Sequence, residues 1–351
     1  MKKALKTIRL TFSARSNPTL EEFVLPPMGE ADVLVETLYS VISPGTERAF
    51  LLAEPNTATH DYGFPFVPGY SSIGRIIKKG RKVTDLELGQ LICSMAPHQS
   101  HSVLRVPDLR QQHWGAVFDQ TTLSCLGWVP AHGDNVDPIQ LAGFMILAVA
   151  VYGVRCANPR LGDEATISGL GPIGLLVGQL AATSGLLTVR GIARDARLRE
   201  AALRAGFDSA MDKMPSVHNE LSSFGKHIVW ECSGSVEAFE RTLSDCPYGA
   251  HLVLLGCPRG VLKNINFYDM MQRKSLEFSA LHQPSRSNLH YLERAVSQYR
   301  DAQIAIELIR KKKINMQTVY DAVINVREYR DVYKKISERG IIGAVPLSWK
   351  D

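Results

Sequence analysis

No two of the chain's six cysteines stand at redox or metal-ligand spacing. Cys93, Cys125, Cys156, Cys232, Cys246 and Cys257 are scattered along 351 residues without a CxxC pair. That excludes a dithiol redox motif and a disulfide framework, and it fits a reducing, cytoplasmic setting. Long apolar runs are lacking too. The longest, near Leu141–Val154, is too short to span a bilayer and reads as a buried helix, so no membrane partner is expected. The opening MKKALKTIRL is not followed by an apolar core of the kind a secretory signal needs. Basic stripes interleaved with aromatics are also missing. The net charge is a mild +5, and the one tight basic run, Lys311-Lys312-Lys313, caps an expected helix Ala302–Arg310, where cations suit the helix dipole. A nucleic-acid partner is therefore not expected. With 45% hydrophobic and 21% charged residues, the composition is that of a globular protein, and the length favours two domains.

What is present is a glycine-rich turn between a strand and a helix. In Thr166-Ile167-Ser168-Gly169-Leu170-Gly171-Pro172-Ile173-Gly174 a short, partly β-branched run gives way to three spaced glycines and then to the apolar run Leu175–Ala182. Gly169 suits the tight turn, Gly171 lets a pyrophosphate approach the backbone, and Gly174 lets the helix lie close to the strand. The helix N-terminus adds unpaired N–H groups and the positive end of a dipole. A dinucleotide is the expected cofactor, held by Gly169, Gly171, Pro172, Ile173 and Gly174.

Which dinucleotide depends on the end of the next strand, Leu187–Ala193. An NAD site usually has a carboxylate there, about 20 residues beyond the glycines, to bind the ribose 2′-hydroxyl. Ala193 occupies that place, followed by Arg194 and Arg197, whose planar forks suit a 2′-phosphate. The balance favours NADP(H) over NAD(H). Two alternatives stay open: Asp195 as the ribose acid, and the two arginines as solvated charges at a helix start.

Residues 1–134 are rich in short β-like runs (Val33–Leu38, Ile73–Lys78, Leu91–Met95, Ser102–Pro107) punctuated by Gly and Pro, which predicts a compact, barrel-like β domain. Residues 135–285 alternate helix and strand, with Val229–Ser233, His251–Gly256 and Leu276–Ala280 as strands of a parallel sheet. Residues 286–351 read as a helix Leu289–Ser297, another from Gln303, and a strand Ile341–Leu347 returning to the first domain. The segment from Asp108 to Asp137, with Trp114 and Trp128, reads either as a substrate-facing elaboration or as a packed surface loop.

These segments together resemble the medium-chain dehydrogenase/reductase superfamily over nearly the whole chain. Pro68-Gly69-Tyr70-Ser71-Ser72-Ile73-Gly74 is similar to its Pro-Gly-His-Glu-x-x-Gly segment, and Ser168–Gly174 to its nucleotide loop. Glu231-Cys232-Ser233-Gly234, with Gly249 and Leu252–Gly256, resembles its later nucleotide-domain strands. The resemblance implies an α/β protein: a doubly wound parallel-sheet Rossmann domain (135–285) beside a GroES-like β-barrel catalytic domain (1–134 and 286–351), assembled as a homodimer.

The departures concern zinc. Where metal-bearing members have a Cys, a His-Glu pair and a further Cys or Glu, this chain has Ile42-Ser43-Pro44-Gly45-Thr46-Glu47, Tyr70-Ser71 and Gly143-Phe144-Met145-Ile146. The four-cysteine structural zinc lobe is also missing. The pattern is similar to a zinc-free branch typified by bacteriochlorophyllide hydroxyethyl dehydrogenases and by threonine-dehydrogenase-like enzymes of secondary metabolism. It implies alcohol–ketone chemistry on a specialised small-molecule substrate, with no metal. A side chain must then polarise the carbonyl oxygen. Tyr70, at the place of a lost ligand, is the leading candidate, or else it merely fills the vacated pocket. Thr46, Glu47, His98 and, less strongly, His101 are further candidates. Ser233, Gly234 and Gly256 are expected beside the nicotinamide, with His282 and Gln283 able to reach the ribose or substrate. Two rival functions stay open: a C=C reductase of enones or quinones, and an NADPH binder without turnover.

Overall fold

The computed structural model describes residues 5–106, 125–128, 136–214, 225–263, 265–282 and 298–350. Strands β1 (Ile8–Ala14) and β2 (Asn17–Glu22) form an antiparallel hairpin. There follow β3 (Asp32–Ile42), helices α1 (Pro44–Leu51) and α2 (Ala58–Tyr62), then β4 (Ser72–Lys79), β5 (Leu91–Ser94), β6 (His101–Arg105) and β7 (Cys125–Trp128). Helices α3 (Pro138–Ala142) and α4 (Phe144–Ala157) lead into β8 (Glu164–Ser168), α5 (Pro172–Thr183), β9 (Thr188–Ile192), α6 (Ala196–Arg204) and β10 (Ser209–Met211). Next come β11 (His227–Glu231), α7 (Val236–Asp245), β12 (His251–Leu254) and β13 (Glu277–Ala280). Helix α8 (Gln298–Arg310), β14 (Ile324–Asn325), α9 (Tyr329–Ser337) and β15 (Val345–Ser348) complete the described chain.

Strands β8 to β13 make a six-stranded, all-parallel sheet in the order β10-β9-β8-β11-β12-β13. This is the doubly wound order, with its reversal between β8 and β11; ligands of such sheets bind in the crevice beyond the strand ends at that point. Seven strands form the other large sheet, ordered β14-β15-β3-β4-β5-β7, with β6 on β3. The closing strand does return to the first domain: β15 lies antiparallel to β3, Leu347 opposite Ser40. It is shorter than its apolar run suggested, starting at Val345. Among the described residues no helix is long and apolar enough to cross a membrane.

Helix α4 is apolar over most of its surface because most of it is buried, packed against the parallel sheet, α5 and α8, with Arg155 in its last turn exposed. Trp230 of β11 lies fully buried against it, its Nε1 donating to the Gly153 carbonyl oxygen at 3.1 Å. A second core joins Leu10 and Phe12 of β1, Leu51 of α1, Tyr333 and Ile336 of α9 and Leu347 of β15. The C-terminal helix thereby braces the loop that opens α1. One expectation needs adjustment and three elements were not anticipated. Chain expected to turn helical only at Gln303 is already helical from Gln298, the hairpin β1–β2 and helix α9 were not singled out in the sequence, and α1 starts at Pro44, so Glu47 lies inside it. The expected helix Leu289–Ser297, Trp114 and Gln283 fall outside the described residues, as does the side chain of Trp128.

Candidate active site

The glycine turn sits at the C-terminal end of β8, beside β11. Gly169 has φ +91°, and a Cβ there would fall 2.5 Å from the backbone of Ser233. Only glycine lets these two loops approach so closely. A Cβ on Gly174 would lie 1.9 Å from the Gly169 carbonyl oxygen, so the first turn of α5 presses directly on the loop. Gly171 is the N-cap of α5, Pro172 follows in its first turn, and nothing lies within 4 Å of a Cβ placed on Gly171. Ile173 packs against the large core. The α5 N-terminus therefore opens onto free space beside backbone N–H donors, the arrangement a pyrophosphate requires.

At the far end of the crevice the three arginines separate. Arg194 is exposed directly after β9, near Glu237 at the start of α7. Arg199 donates to the carbonyl oxygens of Ala193 and Arg194 at 2.8 and 2.7 Å, fixing the turn that presents Arg194. Arg197 is differently placed. Its guanidinium holds Asp195 at 2.6 Å and reaches toward the Gly340 carbonyl oxygen, so it is not a free fork for phosphate. Asp195 in turn caps α6 by accepting from the Arg197 N–H at 2.9 Å, and Arg197 holds its carboxyl below the usual range.

Across the crevice, the Tyr70 phenol lies close to Ser43 and Thr46 and within electrostatic reach of Glu47 and Cys257. Burial pushes its pKa up, opposed by the Ser43 contact. Cys257 is exposed and directly follows Gly256, so Tyr70 stands where the β domain faces the nucleotide domain. Arg259 marks the lip of this cleft, its Nη1 donating to the Asn56 carbonyl oxygen at 3.3 Å and its Nε 3.7 Å from Glu54. Sequence reasoning missed both Cys257 and Arg259, which follow a strand that was read only as nicotinamide lining.

Glu47 and His98 do come together, but away from the cleft. Both are completely enclosed, with His98 Nε2 at 3.0 and 3.1 Å from the two carboxylate oxygens. Tyr333 Oη donates to Glu47 Oε2 at 2.5 Å, and the Ser43 N–H to Oε1 at 3.1 Å. The other His98 nitrogen meets Ser40 Oγ at 2.8 Å, and Ser40 Oγ also accepts from Trp349 Nε1 at 2.8 Å. Every polar atom of this unit is satisfied by another, so the expectation that Glu47 and His98 face substrate gives way to a framework role. They hold α1, and hence Ser43 and Thr46, against Tyr70. His101 is a strand residue opposite Glu36 on β3, with burial lowering its pKa. His282 follows β13 and is exposed.

The hydroxyls at the metal-ligand positions do not suit zinc. Zinc in such enzymes takes thiolate, imidazole or carboxylate ligands. Here Ser71 Oγ is spent on α3 and α4, donating to the Ala142 carbonyl oxygen at 2.6 Å and accepting from the Met145 N–H at 3.3 Å. Ser43 and Tyr70 offer only neutral oxygens, and the nearest imidazole and carboxylate, His98 and Glu47, are consumed by each other. Among the described residues no group of three His, Cys, Asp or Glu could hold a metal.

Glu231, the last residue of β11, was named only as part of a motif. Its carboxyl is fully buried, Oε1 accepts from the Ser233 N–H at 3.0 Å and from the Ser233 hydroxyl, and Oε2 has no partner. Burial raises its pKa to about 7, with Ser233 opposing. An acidic residue closing the apolar run Ile228-Val229-Trp230 was the available signal.

Residues 172–298 match the family model described as zinc-binding dehydrogenase. The chain has the fold of the medium-chain dehydrogenases. It superposes on a protein of Sinorhizobium meliloti 1021, described as a zinc-binding dehydrogenase bound to NADP, with a TM-score of 0.75, 19% identity and coverage of 98% of this chain and 99% of that one. Among curated proteins it is similar to D-guloside 3-dehydrogenase of Escherichia coli K12, 28% identical over 192 residues, or 52% of this chain and 49% of that protein. It is also similar to D-arabitol-phosphate dehydrogenase of Enterococcus avium, 23% identical over 96% of both chains. The match to the first of these relatives spans about half of that protein's length. The medium-chain fold thus accounts for the doubly wound sheet, the β domain and the strand return in one architecture.

Proposed function

We propose that this medium-chain dehydrogenase homologue is an NADP(H)-preferring, zinc-independent oxidoreductase that interconverts an alcohol and a ketone or aldehyde on a specialised small molecule. The observation that carries the reading is the Tyr70 phenol, set against Ser43 and Thr46 at the domain junction where metal ligands would otherwise stand. The relatives are named dehydrogenases of hydroxylated compounds, which supports alcohol–carbonyl exchange over C=C reduction. The glycine loop, Ser233, Gly234 and Gly256 would hold the nucleotide, with Arg194 at the 2′-phosphate. When bound, the nicotinamide supplies or accepts the hydride. Tyr70 does the rest: its raised pKa keeps the phenol protonated near neutrality, so it donates a hydrogen bond to the carbonyl oxygen and delivers the proton as negative charge grows there. Ser43 and Thr46 orient that phenol.

This reading extends to assembly and place of work. The edge strand β13 leaves Phe278 partly exposed beside an apolar groove of about 290 Å³ lined by Phe239, Leu254, Phe267 and Met271. A sheet edge that no described strand pairs suits a second copy of the chain. The scattered spacing of its cysteines and the zinc-free branch it resembles fit a cytoplasmic enzyme of secondary metabolism. The deciding assay offers NADPH and NADH with matched ketones, polyols, their phosphates and enones. Ketone reduction lost in Tyr70→Phe supports the proposal. Enone-only turnover would replace it with C=C reduction, and tight nucleotide binding without any turnover would leave a nucleotide-binding protein.

A further inference from the structure

We propose that Glu231 tunes the nucleotide site between its two redox forms, serving as a buried counter-charge that favours the oxidised, cationic nicotinamide over the reduced, neutral one. The inference rests on the nucleotide reading above and adds to it a positioning residue that makes no contact with substrate.

Glu231 ends β11 in register with Ser168 at the end of β8 and with Leu254 at the end of β12, directly at the reversal point where the crevice opens. Its Oε1 is tied to Ser233, while Oε2 has no hydrogen-bond partner. A Cβ placed on Gly256 would lie 3.0 Å from Oε2 and 2.8 Å from the Gly234 N–H nitrogen. The carboxyl is thus roofed by the backbone of Gly234 and Gly256, the residues read as facing the nicotinamide. Among the described residues no cation acts on this carboxyl. From β8 comes Ser168, hydrogen-bonded to Thr242 of α7 at 2.8 Å. From its own turn comes Cys232, whose thiol is pushed up by burial and by Glu231 itself. Helix α5 has no charged residue; on α7, Glu237, Arg241 and Asp245 are exposed and Glu240 is half-buried.

A buried carboxylate without a cation is costly, so such a group stays protonated until its surroundings change. With its pKa raised to about 7, Glu231 is poised to respond near neutrality. A pyridinium ring on the far side of two glycine backbones would supply the missing positive charge through a medium of low dielectric. The dihydropyridine, being neutral, would not. By linkage, binding the oxidised form lowers the Glu231 pKa and releases a proton, and ionising Glu231 strengthens binding of that form by the same factor. Below pH 7 the carboxyl is neutral and discriminates little. Above pH 7 it is charged, and the oxidised form gains relative to the reduced.

The test uses the full chain with no substrate: dissociation constants of NADP⁺ and NADPH measured from pH 5.5 to 8.5. The ratio of the two cancels titration of the 2′-phosphate, which both forms share. The relative affinity for NADP⁺ should rise about tenfold across neutrality, the change given by a one-unit pKa shift on binding. Calorimetry in two buffers of different ionisation enthalpy should show more proton release near pH 7 on binding NADP⁺ than on binding NADPH, the 2′-phosphate contributing equally to both. Glu231→Gln should still bind both and lose the pH slope. A flat wild-type ratio, equal proton release with both forms, or a slope retained in Glu231→Gln overturns the proposal. Should Glu231→Gln fail to fold, the buffer comparison on the wild-type chain decides alone. If neither nucleotide binds at any pH, the functional reading itself falls, and this inference with it.

Discussion

Two buried glutamates, one in each domain, are treated in opposite ways. Glu47, in the β domain, has both oxygens engaged by His98, Tyr333 and the Ser43 backbone. Glu231, in the nucleotide domain, keeps one oxygen unpartnered. A satisfied buried charge network stiffens what it joins, whereas an unsatisfied one stores a cost that a ligand can relieve. The β domain therefore uses its buried acid to fix where Ser43, Thr46 and Tyr70 stand. The nucleotide domain leaves its own able to change state.

The sharpest way to break this contrast is to remove one partner from the satisfied unit. His98→Leu leaves Glu47 in the core with only Tyr333 and the Ser43 N–H as partners and should cost about 3–5 kcal/mol in urea unfolding. His98→Leu combined with Glu47→Leu should recover part of that loss, because no charge is then left alone. The opposite sign is expected at the other site. The folded-state pKa of Glu231 lies above its unfolded value, so between about pH 4.5 and 7 the folded chain binds more protons and its stability falls as pH rises. Glu231→Gln should remove that slope, gaining up to about 3 kcal/mol over the wild type above pH 7 and nothing below pH 4.5.

Tyr70→Phe separates chemistry from framework. It should lower kcat for ketone reduction by about 10²-fold with the melting temperature nearly unchanged, since Glu47, His98 and Tyr333 remain intact. A loss of stability without loss of turnover would move Tyr70 into the framework. The smallest effect is expected at the adenosine end. Arg194→Ala should weaken NADPH about tenfold and leave NADH alone, while Arg197→Ala, already bound to Asp195, should change neither much.

How far the sequence reached depended on the range of the interaction. The Gly169–Gly174 turn was legible because its demands are local: a positive φ, a close strand and a helix start within a few residues. The parallel sheet and the returning strand followed from the order of apolar runs. The Glu47–His98–Tyr333 unit was not legible, since its members lie 51 and 286 positions apart. Tyr333 itself reads as one more apolar residue in the stripe Tyr329, Val332, Tyr333, Ile336, and nothing in that stripe shows where its hydroxyl points. Local pattern also misled at Arg197, where a neighbouring Asp195 two residues away claims the guanidinium.

The central claim is that a side-chain donor does the work of a Lewis acid in this cleft. Ketone reduction by NADPH, followed on protein stripped with a chelator and assayed for metal by elemental analysis, tests it directly. Undiminished turnover with far less than one zinc per chain is the predicted result. Turnover that vanishes on stripping and returns with one equivalent of zinc would contradict it.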